Sequence, residues 1–229
     1  MKPRYAVYYA PAPGDPLHAA TCAWLGRDAF TGQAASRVTP PGLAGLDLDA
    51  LTADPAGYGF HATLKAPFEL AEGCAESALA EAVTGLSGAR TAFTANIAPA
   101  TIGDFIAFRI QGACPDMDAL EADCVRAFEP YRAPITEYDI VRKRRAGLTP
   151  EQDRYLLEFG YPYIFEFFRF HMTLTGRIRD PDTRAVVLEA LKVWFEPVSG
   201  PHVFGGLTLF KQDARGAPFH HVLHAPFIG

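Results

Sequence analysis

Tyr58-Gly59-Phe60-His61-Ala62-Thr63-Leu64-Lys65-Ala66-Pro67-Phe68 and Arg169-Phe170-His171-Met172-Thr173-Leu174-Thr175-Gly176 are two versions of one pattern, 110 residues apart. In each, Phe precedes a His-x-Thr triplet and Leu follows it. Both stretches alternate polar with apolar residues, which predicts strands over about residues 59–68 and 168–178. A strand sends residues i and i+2 to one face. The first copy then presents His61, Thr63 and Lys65 opposite Phe60, Ala62, Leu64 and Ala66. The second presents His171, Thr173, Thr175 and Arg177 opposite Phe170, Met172, Leu174, Gly176 and Ile178. The apolar faces pack under helices; the polar faces meet water or a ligand, because burying them unpaired costs about 2–7 kcal/mol each.

A single His-x-Thr is weak evidence, since an exposed strand can carry both residues by chance. Its recurrence in the same phase, before the same order of elements, outweighs that explanation. After the first copy a helix is expected at Ala75–Leu86, then strands at Ala92–Ile97 and Asp104–Gln111. After the second, a helix is expected at Pro181–Phe195, with Asp180 as N-cap and Pro181 in the first turn. Strands at Val203–Lys211 and Phe219–Ala225 follow. Further helices are expected at Leu17–Leu25, Asp116–Tyr131 and Pro150–Phe159, the last capped by Thr149 with Gln152 at N3. Tyr5–Ala10 reads as a first strand, and residues 31–58 as irregular chain with a short helix near Leu46–Leu51. The expected class is α+β: one domain over residues 1–229, built as two pseudo-symmetric lobes. Each lobe is an antiparallel sheet with outer helices, and the cleft lies between them.

The chemistry follows from residue types. Histidine titrates near neutral pH, so one imidazole can take a proton while a partner gives one. Thr63 and Thr173 can donate hydrogen bonds to non-bridging oxygens of an anion, and Lys65 and Arg177 can offset its charge. Opposed acid and base suit in-line displacement at phosphorus. Two histidines without a third ligand make a poor zinc site, so neither metal nor other cofactor is expected.

Composition narrows the partners. At 229 residues with a formal net charge of −5, the composition argues against a broad electrostatic footprint on duplex nucleic acid, which normally needs a basic face. No apolar run reaches membrane-span length, and the N-terminal residues lack the apolar core of a secretion signal. Cys22, Cys74, Cys114 and Cys124 show no paired spacing, which favours reduced thiols and a cytoplasmic location. The expected partner is a small phosphorylated substrate, and a monomer is compatible with everything above.

The duplicated His-x-Thr strands resemble those of the two-histidine phosphoesterase superfamily, which includes RNA 2′,3′-cyclic phosphodiesterases. The longer strings around them resemble a narrower branch of phosphonate-metabolism proteins associated with carbon–phosphorus lyase. The resemblance implies a metal-independent phosphodiesterase with His61 and His171 as catalytic acid and base and Thr63 and Thr173 as phosphate ligands. It also implies a phosphoribosyl cyclic phosphate as candidate substrate. Lys65, Thr175 and Arg177 rest on strand phase alone. RNA ends carrying 2′,3′-cyclic phosphate are the alternative substrate, and a non-catalytic sensor of a cyclic nucleotide or phosphosugar is the alternative class.

Three other features stand out. Arg142-Lys143-Arg144-Arg145 is the densest basic run; it reads either as a flap over a phosphorylated substrate, contacting it through Arg142 and Lys143, or as a solvated turn. Tyr155, Tyr161, Tyr163, Phe165, Phe167 and Phe168 form an aromatic cluster that is mainly core, with some rings available to stack on a base or ribose. His220, His221 and His224 split between two strand faces and offer no three-ligand site.

Overall fold

Arg4–Tyr9 forms the first strand, β1, and its alternation sorts side chains into two environments. Tyr5, Val7 and Tyr9 enter the main core, whereas Ala6, Tyr8 and Ala10 join a smaller cluster with Ala29, Phe210 and Phe219. The computed structural model describes residues 2–228. In chain order, the helices α1 (Pro16–Leu25) and α2 (Leu48–Tyr58) lead to β2 (Ala62–Glu69) and α3 (Glu76–Ser87). Next come β3 (Phe93–Ile102), β4 (Phe105–Ile110), α4 (Pro115–Ala127), α5 (Glu137–Arg144), α6 (Pro150–Phe159) and β5 (Met172–Thr173). The chain closes with α7 (Pro181–Trp194), β6 (Gly200–Phe204), β7 (Gly206–Gln212) and β8 (His220–Pro226).

The strands make two four-stranded antiparallel sheets, ordered β2-β1-β7-β8 and β5-β4-β3-β6. This is an α+β architecture with one motif strand at an edge of each sheet. The sheets do not coincide with the halves of the sequence. The strands that follow the first motif, β3 and β4, share a sheet with the second motif strand, which pairs with β4, while β7 and β8 join β1 and the first. Helices α3 and α4 pack on the first sheet, and α7 packs on β3 and β4. One core runs through both, joining Val7 and Leu209 to Ile97, Phe108, Val83, Leu120 and Leu191.

Local signals account for most helix ends. Asp180 accepts from the Thr183 amide, and Thr149 and Gln152 exchange the two bonds of a capping box. Helix α2 runs well beyond the short helix expected near Leu46–Leu51, despite Pro55 inside it. Proline supplies no N–H to the carbonyl four residues back. That carbonyl, on Leu51, instead accepts the Gly176 amide at 2.7 Å, which ties α2 to the second motif segment.

Two strand expectations need correction. Val203–Lys211 is not one strand: β6 and β7 belong to different sheets and part at Gly205. The second motif pairs only over Met172–Thr173, against Phe108 and Ala107. Beyond Thr173 the amides of Leu174 and Thr175 both turn to the Ile106 carbonyl, which ends the alternation.

Candidate active site

Each motif histidine sits one residue ahead of its paired strand and is anchored by the phenylalanine before it. Phe60 and Phe170 are buried in the main core, set edge-on to Phe108 at 6.0 Å and Phe204 at 5.4 Å. The imidazoles are latched alike. His61 Nδ1 lies 2.8 Å from the Gly59 carbonyl oxygen, and His171 Nδ1 lies 2.6 Å from that of Arg169. A carbonyl only accepts, so in the neutral ring Nδ1 carries the proton and Nε2 is left to exchange one. The Thr63 hydroxyl stands 3.4 Å from His61 Nε2. Gly59 also ends α2 with φ +78°, and a Cβ there would lie 2.3 Å from the Ala29 methyl. Only glycine fits that position without rearrangement.

Electrostatics holds both rings toward the neutral form. Burial, opposed by the Gly59 carbonyl and reinforced by His171, brings His61 down to about 4. Burial also lowers His171, with the Arg169 carbonyl opposing and the Arg109 guanidinium adding to the effect. Strands β2 and β5 approach each other, and the His171 imidazole influences His61. An anion bound near both rings favours their protonated forms.

The first pair opens on a cleft of about 310 Å³. His61, Thr63, Tyr8, Tyr58 and Tyr161 line it, with the cations Arg4, Arg132, Arg142, Lys143 and Arg215. Tyr8 stacks on His61, and its hydroxyl is buried without a hydrogen-bond partner among the described residues. His171 and Thr173 are not part of that wall. A smaller hollow of about 200 Å³ touches the second motif through Arg169 and Phe170, and Arg109 lies in it. Most of the basic run is helical: Arg142 and Lys143 occupy the last turn of α5 and line the cleft, and Arg145 lies in the turn that follows.

Three expected ligands lie elsewhere. On β2, Thr63 is opposite Tyr8 but Lys65 is opposite Val7, so a bulge at Leu64 reverses the phase. Lys65 is buried and donates to the Val125 carbonyl at 3.0 Å and to Glu129 at 2.6 Å. Thr175 is buried too; its hydroxyl donates to the Gly176 carbonyl and accepts the Ile106 amide. Arg177 is largely exposed and pairs with Asp104 at 3.5 Å. The shared cause is that alternation persists only while a strand stays regular. Conversely, Arg4, Tyr8 and Arg215 escaped the sequence reading, although Arg4 and Tyr8 share the phase of one β1 face. Arg215, in the β7–β8 connection, carries no such signal.

Among the described residues, one trio of potential metal ligands comes together: His18, Cys22 and Asp28, none on the cleft wall. Burial and the nearby Asp28 push the Cys22 thiol up to about 12. His224 Nδ1 lies 3.0 Å from the Thr208 hydroxyl, an inter-strand contact. Tyr155 and Ile164 form a separate buried cluster with Phe165 and Phe167 packed on it, while Tyr161 reaches the cleft. No helix among the described residues is long and apolar enough to cross a membrane.

Fold and site together define an α+β protein with one His-x-Thr edge in each of two antiparallel sheets. The chain belongs to the family described as "Protein of unknown function (DUF1045)", which matches residues 63–220. It is 36% identical over 231 residues to a protein of Janthinobacterium sp. (strain Marseille) named ribose 1,5-bisphosphate phosphokinase PhnN, covering 99% of this chain and 51% of that protein. A protein of Laribacter hongkongensis (strain HLHK9) with the same name is 34% identical over 220 residues, covering 94% and 50%. The chain thus spans about half the length of the curated relatives it matches. A crystal structure of E. coli LigT complexed with 3′-AMP aligns over 100% of both chains, with 14% identity and a TM-score of 0.43.

Proposed function

We propose that the chain is a two-histidine phosphoesterase that opens a small cyclic phosphodiester. The observation that carries this reading is the twofold latch: in both motifs Nδ1 is tied to the carbonyl two residues back, leaving Nε2 for chemistry. One Nε2 takes a proton from water as its oxygen attacks phosphorus. The other imidazole, protonated once the anion binds, gives a proton to the departing sugar oxygen. Thr63 and Thr173 donate to the non-bridging oxygens. Because both rings favour neutrality in the free protein, the acid form depends on the substrate's own negative charge.

A phosphoribosyl 1,2-cyclic phosphate is the preferred candidate. Hydrolysis of its bond to O2 leaves a ribose 1,5-bisphosphate, the compound in the name of both relatives. The kinase part of that name finds no counterpart here, since the sequence contains no Gly-Lys pair and hence no G-x-x-x-x-G-K-[ST] phosphate loop.

The test is phosphorus NMR of the purified protein against ribosyl 1,2-cyclic and nucleoside 2′,3′-cyclic phosphates, with and without EDTA. Ring opening that survives EDTA and disappears in His61→Ala and in His171→Ala is expected. Preference for oligonucleotide 2′,3′-cyclic ends would move the substrate to RNA. Tight binding without product would make the chain a sensor.

A further inference from the structure

Four cations crowd one region of the cleft, and their own neighbours do not neutralise them. Arg4, at the start of β1, spends Nε and Nη2 on the neutral Gln212 amide oxygen. Arg215 makes a two-pronged pair with Asp139 at 2.9 and 2.5 Å, and Arg142 shares the same carboxylate at 3.3 Å. Lys143 has no carboxylate partner among the described residues; its ammonium rests over the Tyr161 ring at 4.6 Å. The fifth cation, Arg132, is occupied by Glu129. Asp139 and Glu69 are the acidic residues on this wall. Four cations against two carboxylates leave an excess of two positive charges.

The crowding carries an electrostatic cost. Burial lowers Lys143 to about 8, with Arg142, Arg4 and Arg215 adding to the effect against Asp139. Arg4 is lowered by burial and by Arg215. Asp139 is kept ionised by Arg215 and Thr136, and it holds Arg142 and Arg215 in fixed directions. Such an arrangement suits an anion that supplies the missing charge.

We propose that Arg4, Arg142, Lys143 and Arg215 form a second anion subsite, which takes a phosphomonoester on the substrate remote from the phosphodiester handled by the histidines. A phosphomonoester carries about −1.5 to −2 charge near pH 7, which matches the excess. A cleft of about 310 Å³ suits a phosphosugar better than a polynucleotide, whose backbone needs an extended track. This inference rests on the phosphodiesterase reading for its substrate, but the subsite can be tested separately.

The first measurement compares kcat/KM for ribose 1,2-cyclic phosphate with and without a 5-phosphate. Two charge-assisted hydrogen bonds correspond to a preference of at least about 100-fold for the phosphorylated form. In Arg142→Gln/Lys143→Gln that ratio should collapse toward one; in Lys143→Gln alone, which breaks no hydrogen bond within the described protein, it should fall about tenfold. A phosphorylated substrate turned over with no preference would overturn the subsite and leave the enzyme intact. If neither compound reacts, the ribosyl cyclic phosphate reading fails, and calorimetry with ribose 5-phosphate decides the subsite. Binding weakened at least about tenfold in folded Lys143→Gln upholds it; equal binding by both proteins overturns it.

Discussion

The Tyr8 ring lies flat on the His61 imidazole, with centroids 3.8 Å apart and planes 24° from parallel. Tyr8 lines the cleft but is fully buried, and its hydroxyl has no partner among the described residues. A buried, unpaired hydroxyl costs about 1–3 kcal/mol. Tyr8→Phe is therefore expected to raise stability by about 1 kcal/mol in urea melts while lowering kcat/KM about five- to tenfold. Tyr8→Ala also removes the stack and should cost about 3–5 kcal/mol. A destabilised Tyr8→Phe would mean that the hydroxyl already has a partner.

Stability should depend on pH through His61. Between the ordinary histidine value of 6.5 and the folded value of about 4, the unfolded chain holds a proton at this residue that the folded chain does not. Stability falls as pH drops through that window, and this contribution is constant above it. His171 acts in the same direction. His61→Gln should flatten the profile, as read by denaturant midpoints from pH 7 to pH 4. An unchanged slope in the variant would contradict the burial of this imidazole.

Turnover should respond more sharply. Removal of either imidazole is expected to cut kcat/KM by about 10²–10⁴-fold. For the wild type, the acid limb of kcat/KM should lie below 6.5, because the free protein disfavours a protonated His61. A limb above 6.5 would assign the base to another group.

Lys65 belongs to the core and not to the ligand site. Truncating one partner of its buried pair with Glu129 should cost about 3–5 kcal/mol. Lys65→Ala is expected to lower the melting midpoint strongly, with KM little changed in the folded fraction. A raised KM at normal stability would return Lys65 to the site.

Gly59 positions His61 through backbone geometry. At φ +78° an alanine carries strain of about 1–2 kcal/mol, and its methyl meets Ala29 as well. Gly59→Ala should lose more than about 2 kcal/mol and disturb the Nδ1–H tautomer seen by nitrogen NMR. Adding Ala29→Gly should relieve the overlap and leave the strain. An alanine variant with native stability and tautomer would remove this role.

Much of the molecule was legible in local chemistry. The duplicated triplet, the helix start at Asp180 and the capping box at Thr149 depend on residues within a few positions of one another, and the structure reproduces each. Arg142 and Lys143 were noticed as a charge run, though not as part of a helix. Their helix starts at Thr136, whose hydroxyl accepts the Asp139 amide, a cap that the basic run overshadowed.

Residue order alone indicated two imidazole–hydroxyl pairs on alternating stretches, since periodicity and capping act over a few bonds; that each pair heads its strand came from the structure. Contacts between distant segments decided the rest. The bulge at Leu64 turned Lys65 inward because β1 opposes β2 there with one residue fewer. The paired Ile106 carbonyl ended the second strand at Thr173. Arg4, Asp139 and Arg215, up to 211 positions apart in the chain, share one cleft because β1 lies between β2 and β7. Strand register and sheet order are set by hydrogen bonds and packing across such separations, which no short stretch of sequence contains.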